Sequence, residues 1–265
     1  MAHPEVLFSD VAVKSSDIRI RRIGVGDLWQ SLKEGYEDFN SKPSFGIFLV
    51  VIYPLFALLV TLFAVGERPS HLAFPILAGL TLLGPVVSVG LFAMSRRRER
   101  GLDLNWRAAF NFVHSSSFAP IAALSVVMTL LYAAWLFMAQ FIYVGLFGSD
   151  PPASLASFAT EVATTRRGGA LIVYGCGVGA LFAFAALAIS VFAFPLLLDK
   201  PATTITAVST SIRAVTANFV VMLIWSFVVV ALLAVGAALL LVGLAAVLPI
   251  LGHATWHLYR KVVES

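Results

Sequence analysis

The chain has 265 residues, of which 60% are hydrophobic and 12% charged, with a net charge of +4. Soluble domains carry about 25% charged residues, so an ordinary globular protein is excluded and the apolar surplus calls for lipid. The positive balance does not indicate nucleic acid, because the basic residues sit beside apolar stretches and lack the aromatic-interleaved basic surface such binding uses.

Cys176 is the single cysteine, which leaves no intrachain disulfide and no thiolate metal site. The first 44 residues are polar and mixed in charge, with no short apolar core followed by a cleavage site. No removable signal peptide is expected, and the first span acts as its own insertion signal.

Five stretches free of charged residues are long enough to cross a bilayer core of about 30 Å, which needs roughly 20 helical residues. The first element in the chain is an amphipathic helix near 27–40, with Trp29, Leu32, Tyr36 and Phe39 on one face and Asp27 as N-cap. A span follows at 45–65, then the polar turn Gly66 to Ser70 and a second span at 72–94. The run Arg96, Arg97, Arg98, Glu99, Arg100 comes next, placed to anchor topology and to meet anionic lipid headgroups.

A second weakly polar helix carries Trp106, Ala109 and Val113 at the same spacing before a span at 119–146. The polar stretch holding Asp150, Pro151, Pro152, Glu161, Arg166 and Arg167 reads as a loop, and a fourth span covers 170–197. A third amphipathic helix presents Ile205, Val208, Ile212 and Val215 after Pro201. The last gap, Arg213 to Arg260, holds 46 uncharged residues, about 69 Å of helix and too much for one crossing. A turn near Gly236 to Gly243 divides it into spans at 218–240 and 245–262, with Pro249 in the first turn of the returning helix.

The expected fold is therefore all-α: a polytopic bundle of six transmembrane helices in three hairpins, each preceded by an interfacial amphipathic helix. Residues 1–44 form a cytoplasmic segment and residues 45–262 one membrane domain. Fifteen Lys and Arg fall on the side of the termini and three (Arg68, Arg166, Arg167) on the other, which places both termini in the cytoplasm. Pro43 follows Trp29 by 14 residues and Pro120 follows Trp106 by 14, while Pro85 and Pro249 precede basic pairs by equal intervals. These intervals support three parallel units. No carboxylate or cation remains inside the spans, which disfavours a proton-coupled pump.

The candidate chemistry lies at the end of the last span. His253 and His257 share a helix face at i and i+4 and, with His114, are candidate metal ligands. They cannot be the two axial ligands of one haem, and no acidic residue is expected nearby to complete a hydrolytic zinc site with its general base. The alternative is hydrogen bonding across the bundle or to lipid headgroups, with Trp256 and Tyr259, like Trp29 and Trp106, as interfacial anchors. Asn218 and Trp225 read as polar glue between helices, and Gly175, Gly177 and Gly179 as close helix packing.

The segments LLLDKPATTITAVSTSIRAVTANFVVMLIW, VLPILGHATWHLYRKVV and IGVGDLWQSLKEGYEDFNSKPSFGIFLVVIYPLFALL resemble a bacterial family of predicted integral membrane proteins catalogued as domain of unknown function 2189. The resemblance extends over about residues 18 to 262, and GHATWHLYRK is its most specific part. Some members carry a cytochrome c oxidase label, which implies a bacterial inner membrane and a place near the respiratory chain. A catalytic haem-copper subunit needs about six histidines on several spans, and this chain does not supply them.

Function is thus expected to be that of a non-catalytic accessory, assembly or scaffold protein, with lipid and another membrane protein or a respiratory complex as partners and no cofactor. A permease or lipid-handling protein for an uncharged or amphiphilic molecule is the first alternative. A metal or haem protein is the second.

Overall fold

The structure, a computed structural model, describes residues 14–41, 71–102, 111–239 and 242–264. The expected span at 45–65 and Trp106 lie outside the described residues. The regular secondary structure of the described residues is all helical, apart from an isolated antiparallel bridge between Ile20 and Val263.

Helix α1 (Val25–Ser41) begins one residue after Gly24, so Asp27 is its third residue and not the N-cap. Its carboxylate reaches back to accept the Gly24 N–H at 2.8 Å, the carboxylate half of a capping box. The second span is a broken rod: α2 (Ala73–Gly79), a 3₁₀ turn over Leu80–Leu83, α3 (Gly84–Val87) with Pro85 in its first turn, and α4 (Val89–Glu99). Helix α5 (Phe118–Phe147) returns across the bundle without interruption.

The stretch expected to be a loop instead contains a ten-residue helix, α6 (Leu155–Thr164). Ser154 and Ser157 cap it reciprocally, and this local hydrogen bonding supplies the helix start that composition obscured. Thr165 ends α6 and caps α7 (Arg166–Ser190), which continues after a turn at Val191 and Phe192 as α8 (Ala193–Asp199).

Helix α9 (Thr204–Ala217), capped by Thr203, leads through Asn218 into α10 (Phe219–Ala238). Helix α10 stops where the glycine turn was expected, and α11 (Val242–Val262) turns back. A Cβ on Gly243 would lie 2.7 Å from the Gly236 carbonyl oxygen, so this reversal needs glycine at its contact point. Pro249 is inside α11, beyond its first turn, because the helix starts earlier than the proline suggested. A mid-helix proline is tolerated in spans, where neighbouring helices satisfy the freed carbonyl.

Among the described residues, four helical segments are long and apolar enough to cross a membrane: Ala73–Glu99, Phe118–Phe147, Arg166–Asp199 and Phe219–Ala238. The third has 34 residues, about 51 Å of helix against a core of about 30 Å. Its final turns are where protein packing begins. Every residue from Val191 to Leu198 is buried, whereas most of the preceding helix is not.

The core gathers at this end of the bundle, where α4, α8 and α11 meet. Phe92, Phe192, Phe194, Trp256 and Tyr259 are among its fully buried side chains. Helix α1 packs along α11, and α9 packs against α7 and α8. The two chain ends close over the same layer: the Arg21 N–H donates to Val262 O at 2.8 Å and the Glu264 N–H to Arg19 O at 3.2 Å. Asn218 ties the N-terminal segment to α9 and α10, accepting from the Ile23 N–H and donating to Arg21 O. It glues backbone to helix; Trp225, its expected companion, is fully buried.

Candidate functional site

The packed face of α1 is Leu28, Ser31, Gly35 and Asp38, one residue out of phase with the apolar face expected from sequence. The apolar positions Trp29 and Tyr36 are 63% and 55% exposed. The reason is steric and polar together. Gly35 allows the α1 backbone to touch Ala254, and Asp38 finds its hydrogen-bond donors on α4 and α11.

Asp38 is the centre of the site. Its side chain is only 5% exposed. One carboxylate oxygen accepts from Ser95 Oγ at 2.5 Å and from His257 Nε2 at 2.9 Å, and the other pairs with the Arg98 guanidinium. Burial alone would raise this carboxyl, but the hydrogen bonds from His257 and Ser95 and the nearby imidazoles outweigh it and hold the group down at about 2.

An ionised carboxylate only accepts, so the Ser95 proton points to Asp38. The 2.7 Å contact between Ser95 Oγ and His253 Nδ1 must then be donated by the imidazole. That assigns the His253 proton to Nδ1 and leaves its buried Nε2 without a hydrogen-bond partner. Serine, histidine and aspartate are thus together in the wrong order for nucleophilic catalysis. An activated serine donates to the imidazole, which in turn donates to the carboxylate. Here Ser95 donates to the carboxylate, and His253 Nδ1 is 3.8 Å from Asp38. Ser95 is 1% exposed and His253 2% exposed, which denies a substrate both groups.

A neighbouring ion pair extends the contact between α1 and α11. Lys261 Nζ is 2.5 Å from Glu34 Oε2, and His257 Nδ1 is 3.5 Å from the same oxygen. The expectation that no acid stands near the two histidines is therefore overturned. Asp38 and Glu34 come from a helix more than 200 residues away in sequence, a distance over which local spacing carries no information.

A second acid, Asp199, joins the ends of the three central helices. Tyr259 Oη donates to it at 3.0 Å and Arg260 at 3.4 Å, while Arg96 and Arg100 stand 3.8 Å away. Glu99 accepts from Trp256 Nε1 at 3.3 Å and from Arg260 Nε at 2.9 Å. Trp256 and Tyr259 are fully buried, which leaves neither any surface to present to lipid headgroups. Of the arginines expected to meet headgroups, Arg96, Arg98 and Arg100 face Asp199 or Asp38, and Arg97 is partly buried.

His114 ends a short 3₁₀ turn, Asn111–His114, and is exposed. Among the described residues, no group of three or more His, Cys, Asp and Glu side chains is arranged to hold a metal ion. Gly175 and Gly177 face open space, so close packing in that stretch rests on Gly179, which meets Trp135. Gly79 meets the pyrrole end of the same Trp135 side chain, whose indole N–H donates to Pro75 O. Sequence reasoning also passed over His71. It bonds Gln140 at 2.6 Å and stacks on Tyr143 at 3.6 Å, at the end of the bundle opposite Asp38.

With spans and packing in view, comparison with known proteins adds the family. A family model described as predicted integral membrane protein (DUF2189) matches residues 73–199. The chain resembles that family of integral membrane proteins. The matched stretch covers the spans from α2 through α8 and omits α1, α9 and GHATWHLYRK, so it is narrower than the resemblance read from the terminal segments. No curated protein and no solved structure matches.

Proposed function

We propose that this DUF2189-like chain is a six-span scaffold of a bacterial inner membrane that binds or assembles another membrane protein, with no reaction of its own. The observation that carries this reading is the closure of the polar cluster. Its hydroxyl, imidazole and carboxylate are buried against one another and spend their hydrogen bonds fastening α1 to α4 and α11.

The span count is supported by the pairing of Ile20 with Val263, which requires an even number of crossings between them. Four described segments, α11 and the charge-free stretch 45–65 make six. The repeat reading gains support from register. Aligning Trp29 with Ile205 brings Ser31, Gly35 and Asp38 of α1 over Ala207, Ser211 and Ala214 of α9, and all six are buried. Each helix thereby packs on the second span of another unit, α1 on the third and α9 on the second. The excess of Lys and Arg beside the termini favours a cytoplasmic location for that end.

Mild-detergent purification at native expression, followed by mass spectrometry of copurifying proteins, tests the scaffold reading. A stoichiometric membrane-protein partner is expected. A homogeneous, partner-free particle contradicts it.

A further inference from the structure

We propose that α1 and α9 each carry a lipid-facing stripe, so that the bilayer on the side of the termini wets these helices directly. This rests on the reading of α10 as a span. Each helix has three sectors rather than two. On α1 the packed sector is Leu28, Ser31, Gly35 and Asp38, an outward apolar sector holds Val25, Trp29 and Tyr36, and an outward polar sector holds Gln30, Lys33 and Glu37.

On α9 the packed sector is Ala207, Ser211 and Ala214, the outward apolar sector holds Ile205 and Ile212, and Thr206 and Arg213 lie on the polar side. A helix needs three such faces where protein, hydrocarbon and water meet. Trp29 and Tyr36 have the side chains that favour that boundary.

The occupant is identified by continuity. Ile205 and Ile212 on α9 and Phe219, the first residue of α10, are 82%, 40% and 48% exposed, and only Asn218 separates the two helices. Val220, Phe227 and Val230 extend the exposed apolar surface along α10, a segment composed to cross hydrocarbon. No charged residue interrupts it from Arg213 to the end of α10. A surface that adjoins a lipid-facing span one residue away is covered by the same lipid.

The test uses the full chain in lipid nanodiscs with Cys176→Ala as background. Single cysteines replace Ile205, Ile212, Tyr36, Lys33, Glu37 or Phe227, and each carries a nitroxide label. Collision with oxygen, enriched in hydrocarbon, is compared with collision with a water-soluble nickel chelate. Labels at 205, 212 and 36 are expected to show an oxygen-to-nickel ratio several-fold above those at 33 and 37, and in the direction of 227. Water-like ratios at 205 and 212 with a lipid-like ratio at 227 overturn the proposal and leave the span reading standing. Dipolar broadening between copies at 205 or 212 would replace lipid with a second chain and overturn it too. A water-like ratio at 227 removes the span reading itself.

Discussion

Gly35 and Ala254 meet with no room for a methyl group: a Cβ on Gly35 would lie 2.5 Å from the Ala254 backbone nitrogen and 2.8 Å from its Cβ. This contact sets how closely α1 approaches α11 and so brings Asp38 within reach of His257. Substituting Gly35→Val pushes the helices apart, at a cost of about 1–3 kcal/mol for overpacking, with lost hydrogen bonds adding to it. The melting temperature in detergent is expected to fall clearly. Gly26→Ala, in the same helix but with open space around it, is the control and should be neutral or slightly stabilising.

Removing the Asp38 carboxylate leaves Ser95, His257 and Arg98 without their shared acceptor. Each hydrogen bond to a charged group is worth about 1.5–3 kcal/mol, and Asp38 accepts from three side chains. Asp38→Ala is therefore expected to destabilise the fold more than Ser95→Ala, which removes only one of these bonds. Parallel thermal melts of the two variants check the order, and equal losses would show that the carboxylate is not the centre of the network.

The depressed Asp38 group also fixes the sign of an acid effect. Its folded value, about 2, lies below the ordinary carboxylate value. Its contribution is fully present above about pH 4 and is lost as pH falls toward 2, a difference of about 2 kcal/mol. The stability gap between wild type and Asp38→Asn should shrink as pH falls from about 4 toward 2. Melts over that range measure it, and a gap unchanged at pH 2 would contradict the assignment.

Tyr259 offers a smaller and cleaner test. Its hydroxyl donates to Asp199 while its ring is fully buried. Tyr259→Phe keeps the packing and deletes one hydrogen bond to a charged acceptor, so a loss of about 1.5–3 kcal/mol is expected in unfolding experiments. Trp256, whose indole N–H reaches Glu99, behaves alike only if its replacement preserves ring volume.

What could be read in advance followed from how far each signal travels along the chain. Charge-free stretches are local, so α5, α7 with α8, and α10 appear close to where composition put them, and the reversal between α10 and α11 falls at its glycines. The apolar periodicity of α1 marks its outward face and carries no signal for the face that packs on protein. Trp29 and Tyr36 face outward while Gly35 and Asp38 do the packing. Asp38 was unreadable as part of the histidine cluster because its partners lie on α4 and α11, and no local spacing links them. His253 and His257 were singled out by spacing alone; the Glu34 and Asp38 carboxylates that determine their chemistry became visible only with the fold.

Helix α1 runs antiparallel along the end of α11 and is fastened there by acid-to-base contacts. The most direct test is cross-linking in native membranes of a chain carrying Cys176→Ala, Glu34→Cys and Lys261→Cys, with a short bifunctional thiol reagent. The ion pair between these positions is 2.5 Å long. Efficient intramolecular cross-linking, joining fragments after cleavage between the helices, is the predicted result. Full labelling of both cysteines with no link between them would contradict the account.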